Sequence, residues 1–367
     1  MKFTNHSIGR PQALQTMLLV PAFLSMSVAA LAQPTFFPLG TSTASTIPTN
    51  GDVNPYGVAF VPRGFPTDGA IQTNDILISN FNNSANLQGT GTTITRITPR
   101  GQTSTFFQGQ APGLSAALGI LKAGYIFVGS LPTTDGTSNT LQPGSILILD
   151  RNGKQVGGLS GTNIVNGPWG MSITDFSNGL AVMFVSNVLD GSVVRFDLSY
   201  SPTGRLQVFN QVKVASGYNH RTDPAALVLG PSGVYFDAPN DVLYVANSAD
   251  NTIYALVGAL TQETSNGTGT AIYSDNAHLH GPIDLAMLPD GNLIAANSDG
   301  SNADPNQPSE LVEFTTSGKF VSQYSVDPNE GGAFGLALTN LGSGLLRFAA
   351  IDDVTNMLTM WVTSPTN

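Results

Sequence analysis

The 367-residue sequence carries 24 acidic and 14 basic residues, so its net charge is −10, and it contains no cysteine. The negative charge repels phosphate backbones and disfavours nucleic acid as a partner. The lack of cysteine excludes disulfides and a thiol nucleophile. With 40 glycines, 23 prolines and only 10% charged residues, the composition is typical of a turn-rich all-β protein.

Residues 1–32 have the pattern of a secretory signal peptide. Lys2 and Arg10 give a positive start, an apolar segment runs from Met17 to Ala32, and Ala30-Leu31-Ala32 fits a cleavage site. A retained membrane anchor is the alternative, although Pro21 interrupts the segment. No later apolar run reaches the roughly 18 residues of a spanning helix. We therefore expect a secreted or periplasmic mature chain that starts at residue 33 and has no transmembrane segment.

Six copies of one unit follow an isolated β-like stretch at residues 35–43. Each copy begins with Pro or Gly followed by small apolar residues, and about 20 residues later an apolar segment ends in a short polar residue. The copies begin near Pro55, Gly113, Pro168, Pro224, Pro282 and Phe334. The polar ends are Asn80, Ser130, Asn187, Asn247, Asn297 and Asp352. Such a period indicates a solenoid, a propeller or an array.

The units predict a six-bladed β-propeller in a single domain over residues 33–367. Each unit holds four β-like stretches separated by Asn-Gly, Asp-Gly or similar turns, which suits a four-stranded antiparallel blade. The predicted blades cover about 54–108, 113–161, 167–218, 223–277, 281–328 and 333–363. The last unit lacks one strand, so we expect residues 35–43 to fill that position and close the ring. A seven-bladed ring or an open solenoid is the structural alternative.

The unit resembles the NHL repeat. The resemblance rests on the Pro-x-Gly-hydrophobic start, on the Asp-Gly-Asn-Leu turn at 290–293 and on the Val-Ala-Asn end at 245–247. It covers essentially the whole mature chain and implies the wider group of six-bladed propellers that includes the gluconolactonase-type lactonases. That group contains both enzymes and binding modules, so the resemblance specifies the fold and leaves the activity open.

Three long, polar loops are expected on the face of the propeller where the first strand of each blade begins. They are residues 81–93, 131–144 and 298–309. Long loops on a rigid scaffold are common binding sites, although simple surface insertions are the alternative. The candidate ligand-binding residues at the mouth of the central channel are Asn54, Tyr56, Asn166, Trp169, His220, Arg221, Asp223, His278, His280 and Asp284. Packing between blades is the alternative role of the aromatic residues, and simple exposure that of the histidines.

A divalent cation is a further possibility at the channel mouth. Lactonases of this shape hold one with a Glu before the first blade and with Asn and Asp at later blades, whereas this chain has Asn54, Asn166 and Asp223 and no counterpart of the Glu. His280 adds an imidazole, a frequent zinc ligand. The candidate ligands are therefore Asn54, Asn166, Asp223 and His280, with Ca²⁺ or Zn²⁺ as the cation. Asn302, Asp304, Asn306 and Glu313 also approximate the spacing of a calcium loop.

The function that these observations favour is binding without catalysis. We expect an exported, monomeric module that binds a small polar ligand or a protein through the face with the three long loops. The alternative is a metal-dependent lactonase, hydrolase or lyase with its site at the channel mouth.

Overall fold

The chain folds into six four-stranded antiparallel sheets, the blades of a β-propeller. The computed structural model describes residues 41–201, 205–307, 310–342 and 344–363. Within these ranges there are twenty-six strands and one short 3-10 helix, Ser138–Thr140. None of the helices in these ranges has the length and apolar character that a membrane crossing requires. The all-β class and the six four-stranded blades predicted from the repeats are confirmed.

Each blade contributes its first strand to the central channel and its last strand to the outside. Blade 1 contains β2 (Val53–Phe60), β3 (Ile76–Asn82), β4 (Thr93–Ile97) and β5 (Thr103–Gln108). Blade 2 contains β6 (Leu114–Leu121), β7 (Tyr125–Ser130), β8 (Ser145–Asp150) and β9 (Gln155–Leu159). Blade 3 contains β10 (Pro168–Asp175), β11 (Leu180–Asn187), β12 (Ser192–Tyr200) and β13 (Leu206–Ser216).

The second half of the chain repeats this order after one insertion. A hairpin of β14 (Arg221–Asp223) and β15 (Leu227–Leu229) precedes blade 4. Blade 4 contains β16 (Pro231–Asp237), β17 (Val242–Asn247), β18 (Thr252–Val257) and β19 (Thr270–Tyr273). Blade 5 contains β20 (Pro282–Met287), β21 (Leu293–Asn297), β22 (Glu310–Phe314) and β23 (Phe320–Ser325). Blade 6 contains β24 (Ala333–Gly342), β25 (Leu345–Asp352), β26 (Met357–Thr363) and the N-terminal strand β1 (Thr41–Ser45).

Blade 6 therefore combines the two ends of the described chain. β1 pairs antiparallel with β26, from Thr41 opposite Trp361 to Ser45 opposite Met357. The backbone N–H of Thr46 extends the ladder by donating to the carbonyl oxygen of Asn356. Of the predicted strand 35–43, residues 35–40 lie outside the described residues. That this pairing holds the ring closed stays a prediction, which a truncation tests below.

The fourth blade begins later in the chain than the repeat suggested. The repeat pattern predicted a first strand at Pro224–Leu229, whereas this segment belongs to the β14–β15 hairpin and the first strand is β16, from Pro231. Pro231-Ser232-Gly233-Val234 is itself a Pro-x-Gly-hydrophobic start, seven residues after Pro224. Because both segments match the repeat pattern, the pattern alone did not distinguish the blade from the inserted hairpin.

Small residues recur at the start of the first strands because these strands approach one another closely around the channel. A Cβ atom added to Gly170 would lie 2.1 Å from the carbonyl oxygen of Ser232, and one added to Gly335 would lie 2.3 Å from that of Tyr56. Both distances are far below van der Waals contact. The pairing of each first strand with the second strand of its blade also shifts register near this point, as between Pro168 and Met171. The glycines thus allow the closest contact between blades.

Apolar side chains fill the spaces between neighbouring blades. In one cluster, Leu77 and Ile94 of blade 1 meet Leu118 and Ile126 of blade 2. In another, the rings of Phe184 in blade 3 and Phe236 in blade 4 lie 4.7 Å apart. With no disulfide available, this burial is the main contribution to stability.

Candidate functional site

A cavity of about 330 Å³ lies where the first strands of several blades begin. We call it the channel-mouth cavity. Its floor includes Asn54, Tyr56, Trp169, Phe334 and Asp353, which come from blades 1, 3 and 6. A volume of this size is at the lower end of the range for small-molecule sites, so it suits a compact ligand.

Aromatic rings pack against one another in the floor. Tyr56 is stacked between Phe81 and Phe334, with ring centroids 4.7 and 4.4 Å away. Trp169 meets Tyr56 edge to face at 5.5 Å and Phe81 at 5.3 Å. Both faces of the Tyr56 ring are therefore occupied, and a ligand has no access to them for stacking. Tyr56 of blade 1 and Phe334 of blade 6 therefore pack against each other between blades, which is the alternative role expected for the aromatic residues.

Polar acceptors at the cavity lack partners. Within the described ranges, the buried oxygens Asn54 Oδ1, Asn82 Oδ1 and Asp353 Oδ1 accept no hydrogen bond, and all three residues line the cavity. An unsatisfied buried acceptor costs about 1–3 kcal/mol. A ligand that donates hydrogen bonds to these oxygens would recover that cost.

The electrostatics of the floor are dominated by burial and by negative charge. Burial, followed by the neighbouring Asp352 carboxylate, raises the pKa of Asp353 well above its usual range. Burial and the charge of Asp353 likewise raise the pKa of Tyr56, while a hydrogen bond with Asn54 acts in the opposite direction. The hydroxyl of Tyr56 therefore stays protonated, and a positive group beside Asp353 would favour its ionised form.

Two of the three long loops and the inserted hairpin form the rim. Asn86 and Gln88 come from the first loop and residues 298–300 from the third, whereas the hairpin contributes Ala225, Ala226, Val228 and Leu229. Gln88 Nε2 donates to the carbonyl oxygen of Ala225 at 3.1 Å, so loop and hairpin meet across the mouth. The second loop supports the first, because Thr133 Oγ1 donates to the carbonyl oxygen of Gln88 at 2.5 Å.

A second group of functional side chains lies beside the rim in blade 5. His280, Asp299 and Glu310 each offer a ligand atom, and these atoms lie within 4.8 Å of one another. His280 and Glu310 are 2% and 1% exposed, and His280 Nε2 is 3.2 Å from Glu310 Oε1. Asp299 also lines the channel-mouth cavity, so the two sites are adjacent. Burial, followed by the charge of Asp299, raises the pKa of Glu310 to about 8.

The orientation of the His280 ring follows from its other nitrogen. Nδ1 contacts the backbone carbonyl oxygen of Asn302, and this contact requires the proton on Nδ1. The side chain of Asn302 is itself held, since its Nδ2 donates to the carbonyl oxygens of Asn276 and Leu279. Nε2 therefore faces Glu310 with its lone pair.

The candidate ligand-binding residues from the sequence divide between several locations. Asn54, Tyr56 and Trp169 line the channel-mouth cavity. The others do not: they are Asn166, His220, Arg221, Asp223, His278, His280 and Asp284. Asp284 lines a second cavity formed by later parts of the first strands, where burial raises its pKa to about 7.

The polar candidates outside the cavity have other partners. The carboxylate of Asp223 accepts from the backbone N–H groups of Ala225 and Ala226, both at 2.9 Å, and so shapes the hairpin. His278 pairs with Asp275 at 2.5 Å and stacks on Phe320. His220 Nδ1 contacts the carbonyl oxygen of Tyr218, and Arg221 donates to that of Ala249. The backbone N–H of Asn166 donates to Asn187 Oδ1, and its carbonyl oxygen accepts from the backbone N–H of Leu189.

The residues with the spacing of a calcium loop have other partners in the structure. Glu313 lies in β22, where its carboxylate accepts from Asn292 Nδ2 at 2.8 Å and from Ser322 Oγ at 2.9 Å. Asp304 accepts from the backbone N–H of Asn306 within the loop. The expected ligand set is therefore not assembled.

Sequence reasoning missed Asp299, Glu310 and Asp353. Glu310 begins a strand and follows a polar loop, where an acidic residue is ordinary, and Asp353 follows a residue that was itself counted as a blade end. The only available signal was that Asp299 and Glu310 bracket the third long loop. Their proximity to His280 depends on the pairing of β20, β21 and β22, which residue spacing does not reveal.

Solved β-propellers resemble this fold. A predicted gluconolactonase aligns with a TM-score of 0.52 and 13% identity, over 89% of this chain and 94% of that protein. A luciferin-regenerating enzyme aligns with a TM-score of 0.50 and 11% identity, over 89% of this chain and 96% of that protein. The Swd1 β-propeller domain of Myceliophteria thermophila aligns with a TM-score of 0.50 and 11% identity, over 88% of this chain and 100% of that domain. At such identities the likeness shows the fold alone. No protein-family model and no curated protein sequence matches the chain, and the NHL assignment stays a prediction.

Proposed function

We propose that the protein is a non-catalytic binding module whose ligand occupies the channel-mouth cavity. The ligand is a small molecule, neutral or positively charged, and rich in hydrogen-bond donors. A polyol or a hydroxylated amine has this chemistry. We also propose that the protein is exported after removal of residues 1–32 and acts as a monomer.

The observation that carries this proposal is the set of buried acceptors without partners. Asn54 Oδ1, Asn82 Oδ1 and Asp353 Oδ1 all belong to residues of one cavity. Buried polar groups in folded proteins are normally hydrogen-bonded, and a ligand that donates to these three acceptors would satisfy all of them at one concave site.

Charge supports the same ligand class. Asp299 and Asp353 both line the cavity, and a positive ligand would favour the ionised form of Asp353. Among the described lining residues there is no Lys, Arg or His, and the whole chain has a net charge of −10. An anion would therefore bind against an unfavourable potential. A protein partner is less well supported than a small ligand, because the three acceptor atoms are buried and belong to residues that line a concave cavity.

The alternative, a metal-dependent lactonase, hydrolase or lyase using Asn54, Asn166, Asp223 and His280, has less support. The carboxylate of Asp223 is engaged with the backbone of its own hairpin. Of these four residues only Asn54 lines the cavity, and His280 faces Glu310 instead. A carboxylate ligand for a cation at the channel mouth would have to come from elsewhere.

A thermal-shift screen tests the proposal with matched sets of polyols, amines and carboxylic acids. We expect stabilising compounds among the polyols and amines and none among the acids. Asn54→Gly removes one acceptor while tolerating the φ of 60° at this position, and it should weaken binding of a hit about tenfold. Asp290→Asn, on an exposed turn of blade 5, is the matched control and should bind normally. Equal affinity in Asn54→Gly and the parent protein would contradict the assignment.

A further inference from the structure

We propose that His280, Asp299 and Glu310 bind one divalent transition-metal ion, of which Zn²⁺ is the best match. The ligand atoms are His280 Nε2 and one carboxylate oxygen each from Asp299 and Glu310. This site is distinct from the four metal ligands expected from the sequence, of which it retains only His280. It does not depend on the ligand proposed for the channel-mouth cavity.

The spacing of the ligand atoms fits a common ion. Ligand atoms at about 2.0–2.2 Å from Zn²⁺ are separated from one another by about 3–4 Å. His280 Nε2 and Glu310 Oε1 are already 3.2 Å apart, and the whole set lies within 4.8 Å.

Unsatisfied buried atoms point into this cluster. His280 Nε2 and both carboxylate oxygens of Glu310 have no hydrogen-bond partner within the described ranges, although the side chains are only 3% and 2% exposed. No Lys or Arg in these ranges forms an ion pair with Glu310. His280 and the side-chain amide of Asn297 lie beside the buried carboxylate of Glu310, and a cation would offset the cost of burying its charge.

The surroundings orient the imidazole as in a metal site. The contact of Nδ1 with the carbonyl oxygen of Asn302 leaves Nε2 as the coordinating atom. Metal-binding histidines almost always donate their other N–H to such a group. Asn297, whose side chain interacts with Glu310, has a buried Oδ1 without a hydrogen-bond partner in the described residues.

The donor set selects the type of metal. One imidazole and two carboxylates carry two negative charges, which a divalent cation neutralises. The nitrogen donor favours Zn²⁺ and related transition metals over Ca²⁺ and Mg²⁺, which prefer oxygen ligands alone. Because Asp299 also lines the channel-mouth cavity, the ion would lie at the edge of that cavity.

Titration calorimetry with ZnCl₂ on the chelator-treated full chain tests the site. We expect one ion per chain, little competition from excess CaCl₂ or MgCl₂, and a melting temperature that rises by about 4 °C at a Zn²⁺ concentration 100-fold above Kd. Glu310→Gln and Asp299→Asn should each weaken binding at least about 100-fold. Since Asp299 lies in a partly exposed loop, its variant keeps the test informative if Glu310→Gln fails to fold.

His278→Gln is the matched control, because this neighbouring histidine pairs with Asp275 outside the cluster. It should bind Zn²⁺ like the parent protein. Co²⁺ added to the parent should give the visible absorption of a site with nitrogen and oxygen ligands, and Zn²⁺ should abolish it. Two results would overturn the inference: no stoichiometric ion in the parent protein, or binding that Asp299→Asn leaves unchanged.

Discussion

The hydroxyl of Ser186 in blade 3 donates a hydrogen bond to the carbonyl oxygen of Ser232 in blade 4 across 2.5 Å. The hydroxyl oxygen of Ser186 also accepts a hydrogen bond from the backbone N–H of Gly170 at 2.8 Å. Ser115 and Ser232 form equivalent bonds to the carbonyl oxygens of Pro168 and Pro282, the first residues of the strands in the next blades. Buried serines therefore link consecutive blades around the channel.

Replacing Ser186 by Ala should lower the free energy of unfolding by about 2 kcal/mol. The change leaves the N–H of Gly170 and the carbonyl oxygen of Ser232 buried without this partner, and unsatisfied buried groups of this kind cost about 1–3 kcal/mol. Chemical denaturation measures the effect. Ser104→Ala, at an exposed position of β5, should be within about 0.5 kcal/mol of the parent. Equal stability of the two variants would argue against a structural role for the serine links.

Gly335→Ala should destabilise the protein by about 1–3 kcal/mol or more. A Cβ atom there would lie 2.3 Å from the carbonyl oxygen of Tyr56, so blades 6 and 1 would have to separate. Gly157→Ala is the matched control, since its nearest neighbour would be an Ile148 side-chain atom at 3.6 Å. The melting temperatures of the two variants compare the positions directly. Equal melting temperatures of the Gly335→Ala and Gly157→Ala variants would contradict the close approach of these blades.

Removing strand β1 tests whether pairing between the two chain ends holds the ring. A chain beginning at Thr46 lacks the five residues that pair with β26, whereas a chain beginning at Thr41 retains them. We expect the shorter chain to lose about 2–4 kcal/mol relative to the longer one, from several ladder hydrogen bonds and the burial of Ala44. Identical unfolding curves would mean that the ring is closed without this strand.

Stability should fall as the pH rises from about 4 to about 7. Burial raises the pKa of Asp284 from 3.8 to about 7, so the folded chain holds this proton more tightly than the unfolded chain does. The protonated Asp284 contributes a constant amount to the free energy of unfolding below pH 4. This contribution, about 2–4 kcal/mol, is lost completely above pH 7. Glu310 and Asp353, whose pKa values are also raised, act in the same direction.

The Asp284→Asn variant isolates one part of this effect. Its free energy of unfolding should depend less steeply on pH between 4 and 7, even if loss of a bond to the backbone of Leu285 or Leu336 lowers the overall stability. Asp290→Asn, on an exposed turn, should keep the parental slope. Denaturation at a series of pH values gives both slopes, and parallel curves for Asp284→Asn and the parent would refute the assignment.

The export proposal makes a separate prediction about the mature N-terminus. When the full chain is produced in a secreting host, N-terminal sequencing of the exported protein should begin at Gln33, because Ala30-Leu31-Ala32 precedes it. Ala32→Pro should block this cleavage. Recovery of an uncleaved cytosolic protein from the parent gene would remove the basis for secretion.

The repeated blades could be predicted from the sequence. Pro168 and Pro282 are the first residues of their strands, and Asn187 and Asn297 are the last residues of theirs. The repeat pattern marks these positions because crowding at the channel requires small residues in every blade. The fourth start was misassigned because Pro224 and Pro231 both match the pattern. Only pairing with β17 distinguishes them, and that pairing is a tertiary property.

The candidate sites were less accessible. Asn54, Tyr56 and Trp169 were found because position in the repeat fixes their place at the cavity. Asp299 and Glu310 were not found, because no pattern in the sequence relates these two loop and strand-end positions to His280. Their contact arises when three strands of blade 5 bring His280, Asp299 and Glu310 to one end of the sheet.

The central claim, a small donor-rich ligand in the channel-mouth cavity, is tested most directly by a crystal structure of the protein with a hit from the polyol and amine screen. The account predicts density between Asn54, Trp169 and Asp353, with donors of the ligand within 3.2 Å of Asn54 Oδ1 or Asp353 Oδ1, a distance of about the upper limit for a hydrogen bond. A bound hit located elsewhere on the protein, with this cavity filled only by water, would contradict it.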